Sequence, residues 1–305
     1  MSPQESSRDI ERTIIQWAEV NVEIRAVLLT STRAIPDAHI DVLSDYDVIL
    51  VVQSIHTFVD DRTWINDFGD VLVVYWDPVH PDPVFGIKRI SNVTQYASGL
   101  KIDFTLLPVS LFEKVVAAPS LPAELDAGYR VLLDKDGLTT SMHPPTNTAF
   151  TPKPPTLTIY RTLVNDFFSD APYVAKCLWR DELLPAKWCL DFNMKHVYLR
   201  QLLEWRVEMD HNWSLPTGSL GKGLKKYLPS DIWSQLEQTY ADAGLEHNWK
   251  ALGRTMALFR RVAVEVGDNL GFEYPHDLDR RVTTYVEHIK QLEPPAITSS
   301  KDDTQ

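Results

Sequence analysis

This 305-residue chain has little cysteine, no long apolar run and no excess of basic charge, and each lack removes a class of protein. Its two cysteines, Cys177 and Cys189, fit no metal-ligand spacing and lie in helix-like sequence, so they read as buried free thiols. No stretch approaches the roughly 20 apolar residues of a membrane span, and Met1-Ser2-Pro3-Gln4-Glu5 lacks the basic and apolar regions of a signal peptide. The expectation is a cytoplasmic protein with no membrane partner. Lys and Arg number 30 against 42 Asp and Glu, a formal charge of −12 that argues against a nonspecific nucleic-acid binder and suits a cationic small molecule. No His-Glu-x-x-His, Gly-x-Ser-x-Gly or Cys/His nucleophile arrangement occurs. Gly218-Ser219-Leu220-Gly221-Lys222-Gly223 has the look of a Walker A loop, but the spacing is wrong and no Ser or Thr follows the Lys.

What is present begins with charge in an unusual place. Ser44-Asp45-Tyr46-Asp47 opens the apolar run Val48-Ile49-Leu50-Val51-Val52. In a strand alternate side chains share a face, so Asp45 and Asp47 point the same way while the residues after them bury the strand. Two aligned carboxylates at the rim of a buried sheet suit Mg²⁺, which takes hard oxygen ligands and usually brings substrate phosphates with it. Lys101-Ile102-Asp103-Phe104-Thr105-Leu106-Leu107 alternates strictly before Pro108, placing Ile102, Phe104 and Leu106 on one face and Lys101, Asp103 and Thr105 on the other. Asp103 therefore reads as a third ligand or a general base.

Around these acids the pattern gives a helix carrying Ile10, Ile14, Trp17 and Ala18 on one stripe. Strands follow at Arg25 to Leu29, Asp47 to Val52, Val71 to Trp76 and Lys101 to Leu107. Ser31-Thr32-Arg33 follows the first strand, where backbone N–H groups and hydroxyls cradle a phosphate. From Ser141 to Thr156 the chain is rich in Pro and Thr, the composition of a linker. Beyond it, helices are predicted at Ile232 to Tyr240, Trp249 to Val266 and Leu278 to Gln291. Leu184, Trp188, Phe192, Leu199 and Leu203 fall near one stripe of a further long helix. No internal repeat is present. The reading is α+β: a first domain over residues 1–150, a helical domain over 151–293, and a disordered tail over 294–305.

Strand, hydroxyl loop with Arg, Asp-x-Asp and then Lys-Ile-Asp-Phe-Thr-Leu-Leu-Pro resemble the antibiotic nucleotidyltransferases of the polymerase-β-like superfamily, most closely the aminoglycoside 6-adenylyltransferases, or streptomycin adenylyltransferases. The resemblance runs from about Ile14 to His288 and includes Ala171-Pro172-Tyr173-Val174-Ala175-Lys176, Trp179-Arg180-Asp181-Glu182, Gly221-Lys222-Gly223 and Phe272-Glu273-Tyr274-Pro275. It implies Mg²⁺-dependent transfer of AMP from ATP to a streptomycin hydroxyl, by a monomer, in a cleft between a nucleotidyltransferase domain with a mixed sheet and a helical bundle. Asp45 and Asp47 are the implied metal ligands and Asp103 the third carboxylate. Ser31, Thr32, Arg33, Lys176 and Lys222 are the expected nucleotide-binding residues, and Tyr173, Glu182, Glu204, Trp205, Asp210 and Trp213 are the candidates for the cationic sugar. The family usually carries Gly-Ser where this chain has Ser31-Thr32, and Gly permits close approach to a phosphate and unusual φ values. Two alternatives stay open: a different hydroxyl acceptor, and a catalytically silent nucleotide-binding relative.

Overall fold

Apolar alternation builds a sheet in the first part of the chain and helical periodicity a bundle in the second. The computed structural model describes residues 3–35, 38–215 and 217–293, so the expected tail from 294 lies outside the described residues. The chain divides into two compact units, residues 1–149 and 150–305.

The first unit runs α1 (Pro3–Val20), β1 (Ile24–Thr30), β2 (Tyr46–Val52), α2 (Ile55–Asp60), β3 (Val71–Trp76), β4 (His80–Pro81), β5 (Lys88–Tyr96), β6 (Lys101–Pro108), α3 (Val109–Ala117), α4 (Ala123–Asp126) and β7 (Tyr129–Asp134). Seven strands form one sheet in the order β3-β5-β6-β2-β1-β7, with β4 beside β5. β2 and β6 are parallel and the other pairings antiparallel, so the sheet is mixed as expected.

One face packs Tyr46, Val48 and Leu50 of β2 and Ile102, Phe104 and Leu106 of β6 against Ile14 and Ala18 of α1 and the ring of Trp64. Trp64 meets Phe104 edge to face at 4.9 Å between centroids. On the other face α3 lays Leu111, Phe112 and Val115 over Ile49, Val51 and Leu107. Because α3 starts directly after β6, it covers the far ends of these strands and leaves their first residues open. β5 escapes a reading by apolar alternation because two of its inward positions are polar: Asn92 and Thr94 are 1% and 0% exposed, and the Thr94 hydroxyl donates to Asn92 Oδ1 at 2.7 Å.

The second unit contains α5 (Leu157–Trp179), α6 (Leu183–Lys187), a π-helical segment (Trp188–Leu199), α7 (Arg200–Asp210), α8 (Leu224–Tyr227), α9 (Ser230–Glu237), α10 (Leu245–Leu270) and α11 (His276–Gln291). Tyr160, Phe167, Phe168 and Val174 of α5 pack on Leu258, Phe259 and Val262 of α10, with Leu202 and Leu203 of α7 and Val286 and Ile289 of α11 closing the core. The expected stripe is corrected here. Leu199 and Leu203 are buried, but Leu184, Trp188 and Phe192 are exposed. The π-helical segment hydrogen-bonds i to i+5 and so breaks the α-helical period on which that stripe rests. Cys177 and Cys189 are buried and free, as expected.

One polar network ties α10 to α11. The nearly buried Asp279 accepts hydrogen bonds from Nε of Arg260, from its Nη2 at 2.6 Å, from the Tyr274 hydroxyl at 2.9 Å and from Thr283 at 3.0 Å. Burial alone would raise the Asp279 pKa, but the bonds from Arg260 and Tyr274 outweigh it and hold the carboxyl below its ordinary range. Asp279→Asn should lower stability by about 2–3 kcal/mol in thermal or denaturant unfolding, because it leaves Arg260 without its partner. The sign with pH follows from the lowered folded value. The contribution is complete above about pH 4, the ordinary range of an unfolded aspartate, and is lost as pH falls through the folded pKa. The wild type should therefore lose stability below about pH 4 more steeply than the variant.

Candidate active site

The parallel register of β2 and β6 sets Asp47 directly against Asp103. The antiparallel registers extend the row to Thr30 of β1 on one side and to Val93 of β5 and Tyr75 of β3 on the other. Side chains opposite each other on paired strands share a face, so Asp47 and Asp103 are neighbours across about 4.8 Å of sheet, on the face that α3 leaves open. Asp45 stands one residue before β2.

Lys101, two residues before Asp103 and on its face, reaches both flanking carboxylates. Its Nζ lies 2.5 Å from Asp45 Oδ2 and 3.0 Å from Asp103 Oδ2. Two of the three carboxylates thus share one ammonium, and Asp103 Oδ1 is buried with no hydrogen-bond partner. Burial, and then the neighbouring Asp103 charge, push the Asp47 pKa up, while the nearby Ser31 hydroxyl works the other way. Burial also raises Asp103, against the pull of Lys101. For Lys101, burial works against the ammonium, but the bonds and charges of Asp45 and Asp103 together lift its pKa above the ordinary value. The cluster is short of positive charge.

No group of three or more His, Cys, Asp or Glu side chains among the described residues converges on a ready metal site. Asp45 instead turns to Lys101. The donor set nonetheless fits a hard divalent cation: three carboxylates at a strand rim, one of them with an unpartnered buried oxygen. Asp45, Asp47 and Asp103 are the residues that would hold Mg²⁺.

The loop after β1 forms a short 3-10 turn over Ser31–Arg33. Ser31 sits at φ +59°, the left-handed region that favours glycine, and its carbonyl accepts from the N–H groups of Ala34 and Ile35. Thr32 lies within the turn. Arg33 donates from Nε to the Asp45 carbonyl at 2.9 Å and from Nη2 to the Ser44 carbonyl at 2.8 Å, and its guanidinium lies 3.8 Å from the centroid of the Tyr46 ring. Arg33 therefore clamps the entry to β2 and fixes the backbone that presents Asp45 and Asp47. Lys101 is the cluster member that sequence reasoning left without a role. The strict alternation that placed Asp103 placed Lys101 beside it, and the missing step was to ask what balances three acids.

The second unit distributes the remaining candidates. Tyr173 and Lys176 are exposed on α5, and the Lys176 ammonium lies 5.7 Å from the centroid of the Tyr285 ring. Glu182 is exposed just before α6, and Lys222 is exposed directly after the 3-10 turn Ser219–Gly221. Glu204 accepts from Arg200 at 2.6 Å, yet burial keeps its pKa above the ordinary range. Asp210 pairs with Arg206 at 2.7 Å. Trp213 follows α7 at φ +56°, partly buried on the helical core, with its N–H donated to the carbonyl of Glu208. Trp205 differs from expectation. At 3% exposed it is a core aromatic and offers no flat surface to a ligand.

Residues 4–289 match the streptomycin adenylyltransferase family. An aminoglycoside 6-adenylyltransferase of Campylobacter jejuni is 27% identical over 282 residues, covering 92% of this chain and 94% of its own. One from Bacillus subtilis (strain 168) is 28% identical over 286 residues, covering 93% and 98%. A crystal structure of an aminoglycoside 6-adenyltransferase from Bacillus subtilis aligns with 96% of this chain and 100% of its own, at 26% identity and a TM-score of 0.44. With a match that takes in both the carboxylate row and the helical unit, the chain belongs to the streptomycin adenylyltransferase family, a family of nucleotidyltransferases.

Proposed function

We propose that this protein transfers AMP from ATP to a hydroxyl of an aminoglycoside, streptomycin being the acceptor that the family description favours. The observation that supports the reading most directly is the register of Asp47 against Asp103 at an open strand rim, in a chain that matches the family from residue 4 to 289. Named relatives that act on aminoglycosides, and the formal charge of −12, agree with a polycationic acceptor.

In this reading the acceptor oxygen attacks the α-phosphorus, a new O–P bond forms, the bond to the β-phosphate oxygen breaks and pyrophosphate leaves in line. Asp103, with a buried and unpartnered Oδ1, takes the proton from the attacking hydroxyl. Mg²⁺, when held by Asp45, Asp47 and Asp103, supplies neutralisation of the phosphate charge. The turn at Ser31-Thr32 offers backbone N–H groups and hydroxyls to the phosphates, while Arg33 keeps the Asp45 backbone in place. Lys176 and Lys222 are assigned to the triphosphate. The exposed Tyr173, Glu182 and Asp210, with the half-buried Glu204 and Trp213, are assigned to the acceptor.

The direct test is mass spectrometry of streptomycin and a panel of other aminoglycosides after incubation with protein, ATP and Mg²⁺. An added AMP on streptomycin is expected. Asp47→Asn should reduce the transfer by at least about a thousandfold. Its melting temperature should be unchanged or higher, because burial and the Asp103 charge already disfavour the Asp47 carboxylate. Transfer at wild-type rate by this variant would remove the carboxylate row from the mechanism.

Ser31 gives a second test. Left-handed backbone costs a residue with a Cβ roughly 1–2 kcal/mol. Ser31→Gly relieves that cost and loses the hydroxyl near Asp47, whereas Ser31→Ala loses the hydroxyl and keeps the strain. Denaturant unfolding should find the Gly variant more stable than the Ala variant by about 1 kcal/mol, allowing for glycine's larger unfolded entropy.

A further inference from the structure

We propose that Lys101 is the resident counter-ion of the carboxylate cluster and competes with a divalent cation for Asp45 and Asp103. The inference rests on reading the cluster as a cation site. Lys101 bridges acids from two different elements, Asp45 in the loop before β2 and Asp103 on β6, at 2.5 and 3.0 Å. Without it, three carboxylates would face one another at a partly buried rim with the Asp103 Oδ1 already unpartnered. The ammonium holds Asp45 toward β6, and among the described residues Asp47 makes no ion pair.

Two features make the contact releasable. A lysine ammonium is a compact charge on a four-carbon stem, with none of the bidentate fixing of an arginine. The Lys101 side chain is also 28% exposed, so it has a path to solvent without repacking the sheet. A cation that takes Asp45 and Asp103 must first displace the ammonium, and its apparent affinity is reduced by the fraction of molecules in which the lysine holds them. Metal alone then binds weakly. Metal arriving with a triphosphate binds better, because the displaced ammonium gains the phosphate charge as its new partner.

The test is Mn²⁺ binding to the full chain without nucleotide, followed through the electron paramagnetic resonance of free Mn²⁺, for the wild type, Lys101→Met and Lys101→Arg. Lys101→Met should bind Mn²⁺ on the order of tenfold more tightly than the wild type. It should melt at a lower temperature without metal and gain more from saturating Mn²⁺ than the wild type does. Lys101→Arg, which keeps the charge, should bind no more tightly than the wild type. Equal or weaker Mn²⁺ binding by a folded Lys101→Met overturns the proposal, as does the absence of Mn²⁺ binding in every form. Adenylyl transfer assayed on the same wild-type preparation separates the two readings. Tighter Mn²⁺ binding in the Met variant without any transfer supports the counter-ion and removes the reaction, whereas equal binding with active transfer does the reverse.

Discussion

The site depends on hydrophobic packing it never touches. Tyr46, Val48 and Leu50 on β2, and Ile102, Phe104 and Leu106 on β6, are locked into the aromatic and aliphatic layer under α1. Because side chains alternate with a period of two, that packing dictates that Asp47 and Asp103 emerge on the opposite face. A slip of one residue on β6 would place Asp103 against Trp64 and carry Phe104 to the open rim. The cost of burying an unpaired carboxylate among aromatic rings excludes that register. The neighbourhood of two like charges is thus imposed from behind by the core, and everything local to the rim is a response to it.

The responses are of three kinds. Lys101 supplies charge and draws Asp45 and Asp103 onto one ammonium. Ser31 supplies a hydroxyl to Asp47 from a turn that requires left-handed backbone. Arg33 supplies geometry, since two of its hydrogen bonds end on carbonyls of the residues that lead into β2 and its plane stacks on Tyr46. Ser31 and Arg33 lie two positions apart in one turn, so the loop proposed to receive the phosphates is also the loop that aims the acids.

How much of this was legible in the sequence varied with the period that carried it. Asp47 and Asp103 were readable because each opens or interrupts a strict alternation, whereas the mixed sheet is what the family resemblance implies. β5 was not readable, because Asn92 and Thr94 occupy inward positions and are joined by a hydrogen bond that no apolar pattern announces. Arg33 was visible as a basic residue beside a hydroxyl loop. That its donors would be taken by the carbonyls of Ser44 and Asp45 depends on the path of the chain between them, and no spacing rule encodes that path. Trp205 shows the converse. Its residue type suits a sugar platform, but its position on α7 turns it into the core.

The helical unit contains the one place where a correct kind of reasoning used the wrong period. Leu184, Trp188 and Phe192 are spaced by four and were read as an α-helical core stripe, yet all three are exposed. Across Trp188–Leu199 the buried residues are instead Cys189, Leu190, Met194, Lys195 and Leu199, a pattern that repeats every five residues. Hydrogen bonding from i to i+5 widens the turn until residues five apart share a face. Residues four apart then lie nearly above one another, and the rings of Trp188, Phe192 and His196 stack in sequence, with centroids 6.1 and 5.8 Å apart. The same widening brings Lys195 inside. Its ammonium is bonded to Asp191 at 2.6 Å and lies 4.4 Å from the centroid of the Tyr240 ring, so the buried charge is compensated within and beyond its own turn. The five-residue spacing of Cys189, Met194 and Leu199 was present in the sequence as a period, and a lysine at the corresponding step after Leu190 is what disguised it.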